Sequence, residues 1–135
     1  MKTKIQIKNG LLYTSIKLIH EGNYVIIDNV ILDTGAFYTI ITTDFLDDMG
    51  VEFSNEDKII EASGYGGASS YAVRKRIDLI DCNGIKLDNF KVDFGEIDPN
   101  EKINGLLGLD FLREAGIIID LVDLVMYTND PGIIL

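Results

Sequence analysis

Val30-Ile31-Leu32-Asp33-Thr34-Gly35-Ala36 sets an ionisable carboxylate directly behind three apolar residues, at a tight turn that only a small residue such as Gly35 permits. An acid held where a buried strand ends is a candidate for chemistry. The ordinary alternative is an Asp that closes a turn through its own backbone, as most Asp-Thr-Gly triplets do. Average composition produces the triplet in about 3% of chains this long, so its surroundings have to decide between the two.

Upstream, apolar and polar residues alternate with period two: Ile5 and Ile7, the turn signal Asn9-Gly10, then Leu12 to Ile19 and, after Glu21-Gly22-Asn23, Tyr24 to Leu32. The pattern predicts a three-stranded meander that runs into Asp33. Phe37 to Ile41 resumes an apolar run as a further short strand, which pins the Asp33 loop between two buried strands. Thr42 and Thr43 are placed to cap a short helix over Asp44 to Met49, stopped by Gly50. Val51 to Ala62 carries little pattern, whereas Ser63-Gly64-Tyr65-Gly66-Gly67-Ala68-Ser69-Ser70 has the composition of a long hairpin tip. Strands are expected over Tyr71 to Ile80 and Ile85 to Phe94, around Asn83-Gly84. Leu106-Leu107-Gly108-Leu109-Asp110-Phe111-Leu112 leads into a helix of about two turns that stops at Gly116. Ile117 to Ile119 and Leu124 to Tyr127 complete a final hairpin. About eight or nine strands with one or two short helices make a mostly-β barrel or sandwich.

The 135 residues suit one domain, 1–135, and 47% apolar content with two prolines is enough for a core. Twelve Lys and Arg against 22 Asp and Glu leave a net charge of -10, which repels a phosphate backbone; no nucleic-acid partner is expected. The basic run Arg74-Lys75-Arg76 alternates between strand faces and is expected on a solvated edge. Met1 to Gly10 lacks the apolar block of a signal peptide, and no segment reaches the ~18 apolar residues that span a bilayer, so the expectation is a cytoplasmic protein with no membrane partner. The lone Cys82 cannot form an internal disulfide and is expected to be an exposed, idle thiol.

Three elements in order, Asp33-Thr34-Gly35-Ala36 after an apolar strand, a Gly-rich hairpin some thirty residues on, and Leu106-Leu107-Gly108 before a short helix, resemble the retroviral-type (retropepsin-like) aspartic peptidases over roughly residues 20 to 127. The form Leu106-Leu107-Gly108-Leu109-Asp110-Phe111-Leu112 is similar to the cellular and bacterial branches. The resemblance implies a closed β-barrel in which the apolar-apolar-Gly motif packs around the catalytic loop. Viral members often carry an Asp four residues after the catalytic one and an Arg after the second motif's Gly; here those positions are Phe37 and Leu109, so recognition by that pair does not transfer. Asp110 is left with two readings, an acceptor of backbone amides near the catalytic loop or an acid at a helix start.

Peptide hydrolysis by carboxylates needs one ionised group to take a proton from water and one protonated group to polarise the scissile carbonyl. The chain holds a single Asp-Thr-Gly, so the second carboxylate is expected from a symmetric copy, in a homodimer acting on a peptide or protein substrate. The resemblance implies catalytic Asp33, a Thr34 that hydrogen-bonds across the twofold axis, and a Gly35 that contacts substrate backbone. It also implies substrate contacts from the hairpin tip, Tyr65, Gly66 and Gly67, and apolar subsites from Ala36, Ile40, Ile103 and Leu106. No cofactor and no metal are expected: His20 is the only histidine, Cys82 the only cysteine, and Asp44, Asp47 and Asp48 lack calcium-loop spacing. His20 is expected to be structural or at the surface. Two other functions stay open, a dimeric peptide-binding or scaffolding module without turnover and an unrelated β interaction domain carrying the triplet by accident.

Overall fold

A computed structural model of the chain describes residues 2–63, 69–97 and 102–129. In chain order the elements are β1 (Thr3–Lys4), β2 (Gln6–Lys8), β3 (Leu11–His20), β4 (Asn23–Leu32), β5 (Ile40–Ile41), α1 (Asp44–Asp48), β6 (Lys58–Ser63), β7 (Ser69–Cys82), β8 (Ile85–Gly95), β9 (Gly105–Leu107), α2 (Leu109–Glu114), β10 (Ile117–Asp120) and β11 (Val125–Thr128). The longest hairpins form where the alternation and turn signals agree. Asn9-Gly10, Glu21-Gly22 and Asn83-Gly84 all hold positive φ at both residues, the turn whose twist matches a two-residue hairpin.

The strands of the larger sheet follow the order β2-β3-β4-β9-β5-β8-β7-β6, and β3 also pairs with β7 through Lys17, Leu18 and Ile19. That extra pairing closes β3, β4, β9, β5, β8 and β7 into a six-stranded barrel, with β6 and β2 outside the ring. Ile16, Leu18, Ile27, Val30, Ile41, Ile77, Phe94 and Leu107 fill its interior. Phe111 of α2 packs edge-on to Phe90 with centroids 5.8 Å apart. Burying aromatic and aliphatic side chains of this size contributes about 1.5–3 kcal/mol each, the main force that keeps the barrel shut. The expected mostly-β barrel with two short helices is therefore present.

Several expectations change. The amino-terminal strand splits at Ile5: β1 leaves the meander and pairs with β11, while Ile5 itself is buried and donates its N–H to Leu124 O at 2.9 Å. Phe37 and Tyr38 do not join β5, because the carbonyls of Ala36 and Phe37 accept the first amides of α2, Leu109 N–H at 2.8 Å and Asp110 N–H at 3.2 Å. Carbonyls committed to a helix end are not free for a ladder. Neither Thr42 nor Thr43 caps α1 with its side chain; their backbone carbonyls accept Phe45 and Leu46 N–H instead, and Gly50 stops the helix at φ 72°.

Cys82 is fully buried, not exposed. β7 runs on to Cys82, and its thiol lies 3.6 Å from both Thr14 Oγ1 and Ser15 O on β3. The solvated basic edge is likewise absent, since β7 lies between β6 and β8. Lys75 is buried against Asp57 and Arg74 is ion-paired with Asp93, leaving only Arg76 half-exposed beside Asp78. His20 is structural: buried, with Nδ1 accepting Asp78 N–H at 3.2 Å. Asp44, Asp47 and Asp48 lie on the exposed face of α1. Among the described residues no helix is long and apolar enough to cross a membrane.

Candidate active site

β4 ends at Leu32, and the chain continues into Asp33 while its main chain remains tied to β9. The parallel register Val30↔Gly105, Ile31↔Leu106 and Leu32↔Leu107 is extended by Asp33 N–H donating to Leu107 O at 3.0 Å. β9 pairs on its other side with β5, Ile40↔Leu106 and Ile41↔Gly105. The segment 33–39 thus leaves one neighbour of β9 and re-enters at the other, so the loop is pinned at both ends as expected. Within it Gly35 N–H donates to Asp33 Oδ1 at 2.9 Å and Ala36 N–H to Asp33 O at 3.2 Å. Asp33 is half-buried and Thr34 and Gly35 are exposed. One oxygen of the carboxylate is oriented by the loop's own backbone, and the tip of the loop faces solvent.

A second set of bonds fixes the far end of the loop. Thr39 is fully buried and donates its N–H to Asp110 Oδ2 at 3.0 Å and its hydroxyl to Oδ1 at 2.8 Å. The same hydroxyl accepts Gly108 N–H at 3.1 Å, and Thr39 O accepts Asp93 N–H at 3.0 Å. Asp110 Oδ1 also accepts its neighbour Phe111 N–H at 2.8 Å. Of the two readings of Asp110, amide acceptor and helix-start acid, both hold at once. Gly108 is required by close approach: a Cβ there would meet Tyr38 C at 2.7 Å and Tyr38 O at 2.9 Å. The Leu106-Leu107-Gly108 motif packs against the Asp33 loop through these contacts.

Directly opposed residues in a ladder project to one face. Ile31, Leu106 and Ile40 are so opposed, and Ile31, Ile103 and Tyr13 form a small apolar cluster with Leu106 packed on it, separate from the barrel core. Of the residues expected to form apolar subsites, Ile40, Ile103 and Leu106 are therefore brought to the sheet face beside Asp33. Ala36 serves the loop through its carbonyl. Tyr65, Gly66 and Gly67 lie outside the described residues. A cavity of about 540 Å³ touches Ile103 but not Asp33, and one of about 740 Å³ lies between the amino-terminal strands and β3.

Reading the sequence alone passed over Thr39, Ile31 and the group Tyr38, Arg74 and Asp93. The Arg74 guanidinium makes two bonds to Asp93, Nε to Oδ1 at 2.7 Å and Nη2 to Oδ2 at 3.1 Å, and lies 4.0 Å from the centroid of the Tyr38 ring. The bond to Asp93 raises the Arg74 pKa further above its ordinary value. Only Ile31 had a sequence signal, its place two residues before Asp33 in an alternating strand; the others are partners across strands far apart in the chain.

The family model described as aspartyl protease matches residues 19–111, more than half of the chain, from the end of β3 through the first residues of α2. Comparison with curated proteins returns no match.

Proposed function

Because the chain belongs to the aspartyl protease family, we propose that it is an aspartic endopeptidase that cleaves extended polypeptides with a water activated between Asp33 of one copy and Asp33 of a second. In the reaction the ionised carboxylate takes a proton from water as its oxygen attacks the scissile carbonyl, and the protonated carboxylate gives its proton to the carbonyl oxygen. The tetrahedral diol then collapses: the ionised carboxylate takes a proton from one hydroxyl as the carbonyl re-forms, the C–N bond breaks, and the protonated carboxylate gives its proton to the leaving nitrogen, which returns the dyad to one shared proton. The observation that carries the reading is the Asp33 loop, tied to Leu107 behind and to Asp110 beyond, with exposed Thr34 and Gly35 at its tip. A surface acid with a rigid backbone and one oxygen already oriented by Gly35 suits a dyad assembled across a twofold axis. Ile40, Ile103 and Leu106 supply apolar contacts for the peptide.

The test is an unbiased cleavage profile on denatured protein, run with wild type and Asp33→Asn. The amide keeps the shape but cannot act as the ionised base, so hydrolysis falls at least about a hundredfold while the circular dichroism spectrum is unchanged. Specific activity falls on dilution in step with dimer dissociation, and the pH profile is bell-shaped because one carboxylate must be ionised and one protonated. Full activity of a sedimenting monomer, activity lost to a chelator, or Asp33→Asn turnover near wild type overturns the proposal. Binding of a statine-type peptide without any cleavage replaces it with a dimeric peptide-binding module.

A further inference from the structure

One row of directly opposed residues crosses the sheet from the candidate site to the hairpin β6–β7: Ile31, Leu106, Ile40, Asp93, Arg74 and Lys58. Opposed residues share a face, so all six lie on the side of the sheet that carries Ile31, two residues before Asp33. The row changes character along its length. Ile31, Leu106 and Ile40 are apolar, and the next three are an acid followed by two cations. Ala72, two residues before Arg74, confirms the common face, because its Cβ and the Cδ1 of Ile40 would both crowd a Cβ on Gly95, at 2.9 Å and 3.4 Å.

The charges in the row do not cancel. Asp93 is committed to Arg74 by two bonds, and its side chain is 5% exposed against 21% for Arg74. Lys58 is exposed and sits opposite Arg74, and among the described residues no carboxylate lies within ion-pair distance of it. Two cations and one anion leave this patch positive in a chain whose net charge is -10. Arg74 is also held rigid. Asp93 takes two of the five N–H groups that a guanidinium carries, and the ring of Tyr38, itself 54% exposed, covers it from the Asp33 loop. A staple between β7 and β8 needs only Arg74 and Asp93. It does not account for a second cation opposite the pair, nor for an exposed aromatic from the catalytic loop lying on the guanidinium.

We infer that Arg74 and Lys58, with Tyr38 as the wall, form a subsite for an acidic side chain of the peptide substrate. The inference rests on the endopeptidase reading above. From Leu106 to Arg74 is three strand spacings, roughly 14 Å, and an extended peptide advances about 3.3 Å per residue. The acidic residue therefore lies about four residues along the peptide from the one seated on Leu106. The spare N–H groups of Arg74 and the ammonium of Lys58 make charge-assisted bonds to its carboxylate, while an amide or a lysine at the same place loses them.

The test uses a set of extended nonapeptides differing by a single Glu, Gln or Lys at each position two to five residues from the cleaved bond. Hydrolysis by the full-length protein is read together with binding to the Asp33→Asn protein. Glu is expected to exceed Gln about five- to tenfold in kcat/KM at one of those positions, with the margin shrinking as salt is raised. Lys58→Glu, at an exposed position, turns the preference from Glu toward Lys. Arg74→Met with Asp93→Leu, which removes both members of the pair and leaves no lone buried charge, abolishes the preference. Equal rates and equal binding for Glu and Gln at every position, with the neutral peptide still cleaved, overturn the subsite and leave the peptidase standing. No cleavage of any peptide, together with tighter binding of the Glu form, keeps the subsite and overturns the peptidase.

Discussion

Asp110 and Thr39, 71 residues apart in sequence, are joined by two hydrogen bonds, N–H to Oδ2 at 3.0 Å and hydroxyl to Oδ1 at 2.8 Å. This link makes the start of α2 and the end of the Asp33 loop one rigid body. Asp110→Ala leaves a buried amide and a buried hydroxyl without their acceptor, and each such loss costs about 1–3 kcal/mol. A destabilisation of about 2–4 kcal/mol by urea unfolding is expected, with Asp110→Asn between wild type and Ala because it keeps one carbonyl-type acceptor. A loss below about 0.5 kcal/mol for Ala means the link is ornamental.

Gly108→Ala tests the packing of the loop against β9. The added methyl would sit 2.7 Å and 2.9 Å from backbone atoms of Tyr38, which cannot swing aside as a side chain could. Overpacking of this kind costs about 1–3 kcal/mol, and the backbone shift it forces moves the Asp33 loop. A lowered melting temperature together with reduced hydrolysis is the expected outcome. An unchanged melt shows that the loop yields freely.

Lys75 Nζ lies 3.2 Å and 3.1 Å from the two carboxylate oxygens of Asp57, and both side chains are 6% exposed. Asp57 also accepts Ser54 N–H at 2.7 Å, just before β6 begins. Removing one partner strands a buried charge, so Lys75→Met is expected to destabilise by about 3–5 kcal/mol. Lys75→Met combined with Asp57→Asn should recover much of that, since no lone charge remains. A double-mutant cycle with coupling near zero refutes the pair as an anchor of the β6–β7 hairpin.

Burial pushes the Cys82 thiol up from 9.0 to about 11, with a smaller opposing effect from the Thr14 hydroxyl. A thiol held neutral and sealed in the barrel should react with iodoacetamide only on unfolding. The sign of the pH effect follows. The unfolded thiol loses its proton near pH 9 while the folded one keeps it, so this contribution to stability is complete below pH 9 and is lost as pH rises toward 11. At ~1.4 kcal/mol per pKa unit the loss is about 2–3 kcal/mol. Urea unfolding from pH 7 to 11 should fall more steeply for wild type than for Cys82→Ser, and parallel curves exclude the effect.

Local signals carried most of the reading that held. Asn9-Gly10, Glu21-Gly22 and Asn83-Gly84 specify their hairpins because positive φ is a property of a few adjacent residues. The alternation in β3 and β4 likewise exposed the strand that delivers Asp33 and made the pinned loop legible before any tertiary contact was known. Which face of a strand turns inward is a different matter, decided when β3 closes on β7 and β9 inserts between β4 and β5. Pairings so distant in sequence leave no local mark. Cys82 therefore read as a turn thiol and is core, and Lys75 read as solvated and is buried. Thr39 and Asp110 had no visible connection until β9 brought them together. The strands, their tight turns and the position of the acid at a strand end follow from neighbouring residues and are written in the chain. What holds that acid's loop, and which cations share its face, depends on barrel closure, which sets those neighbours through long-range register.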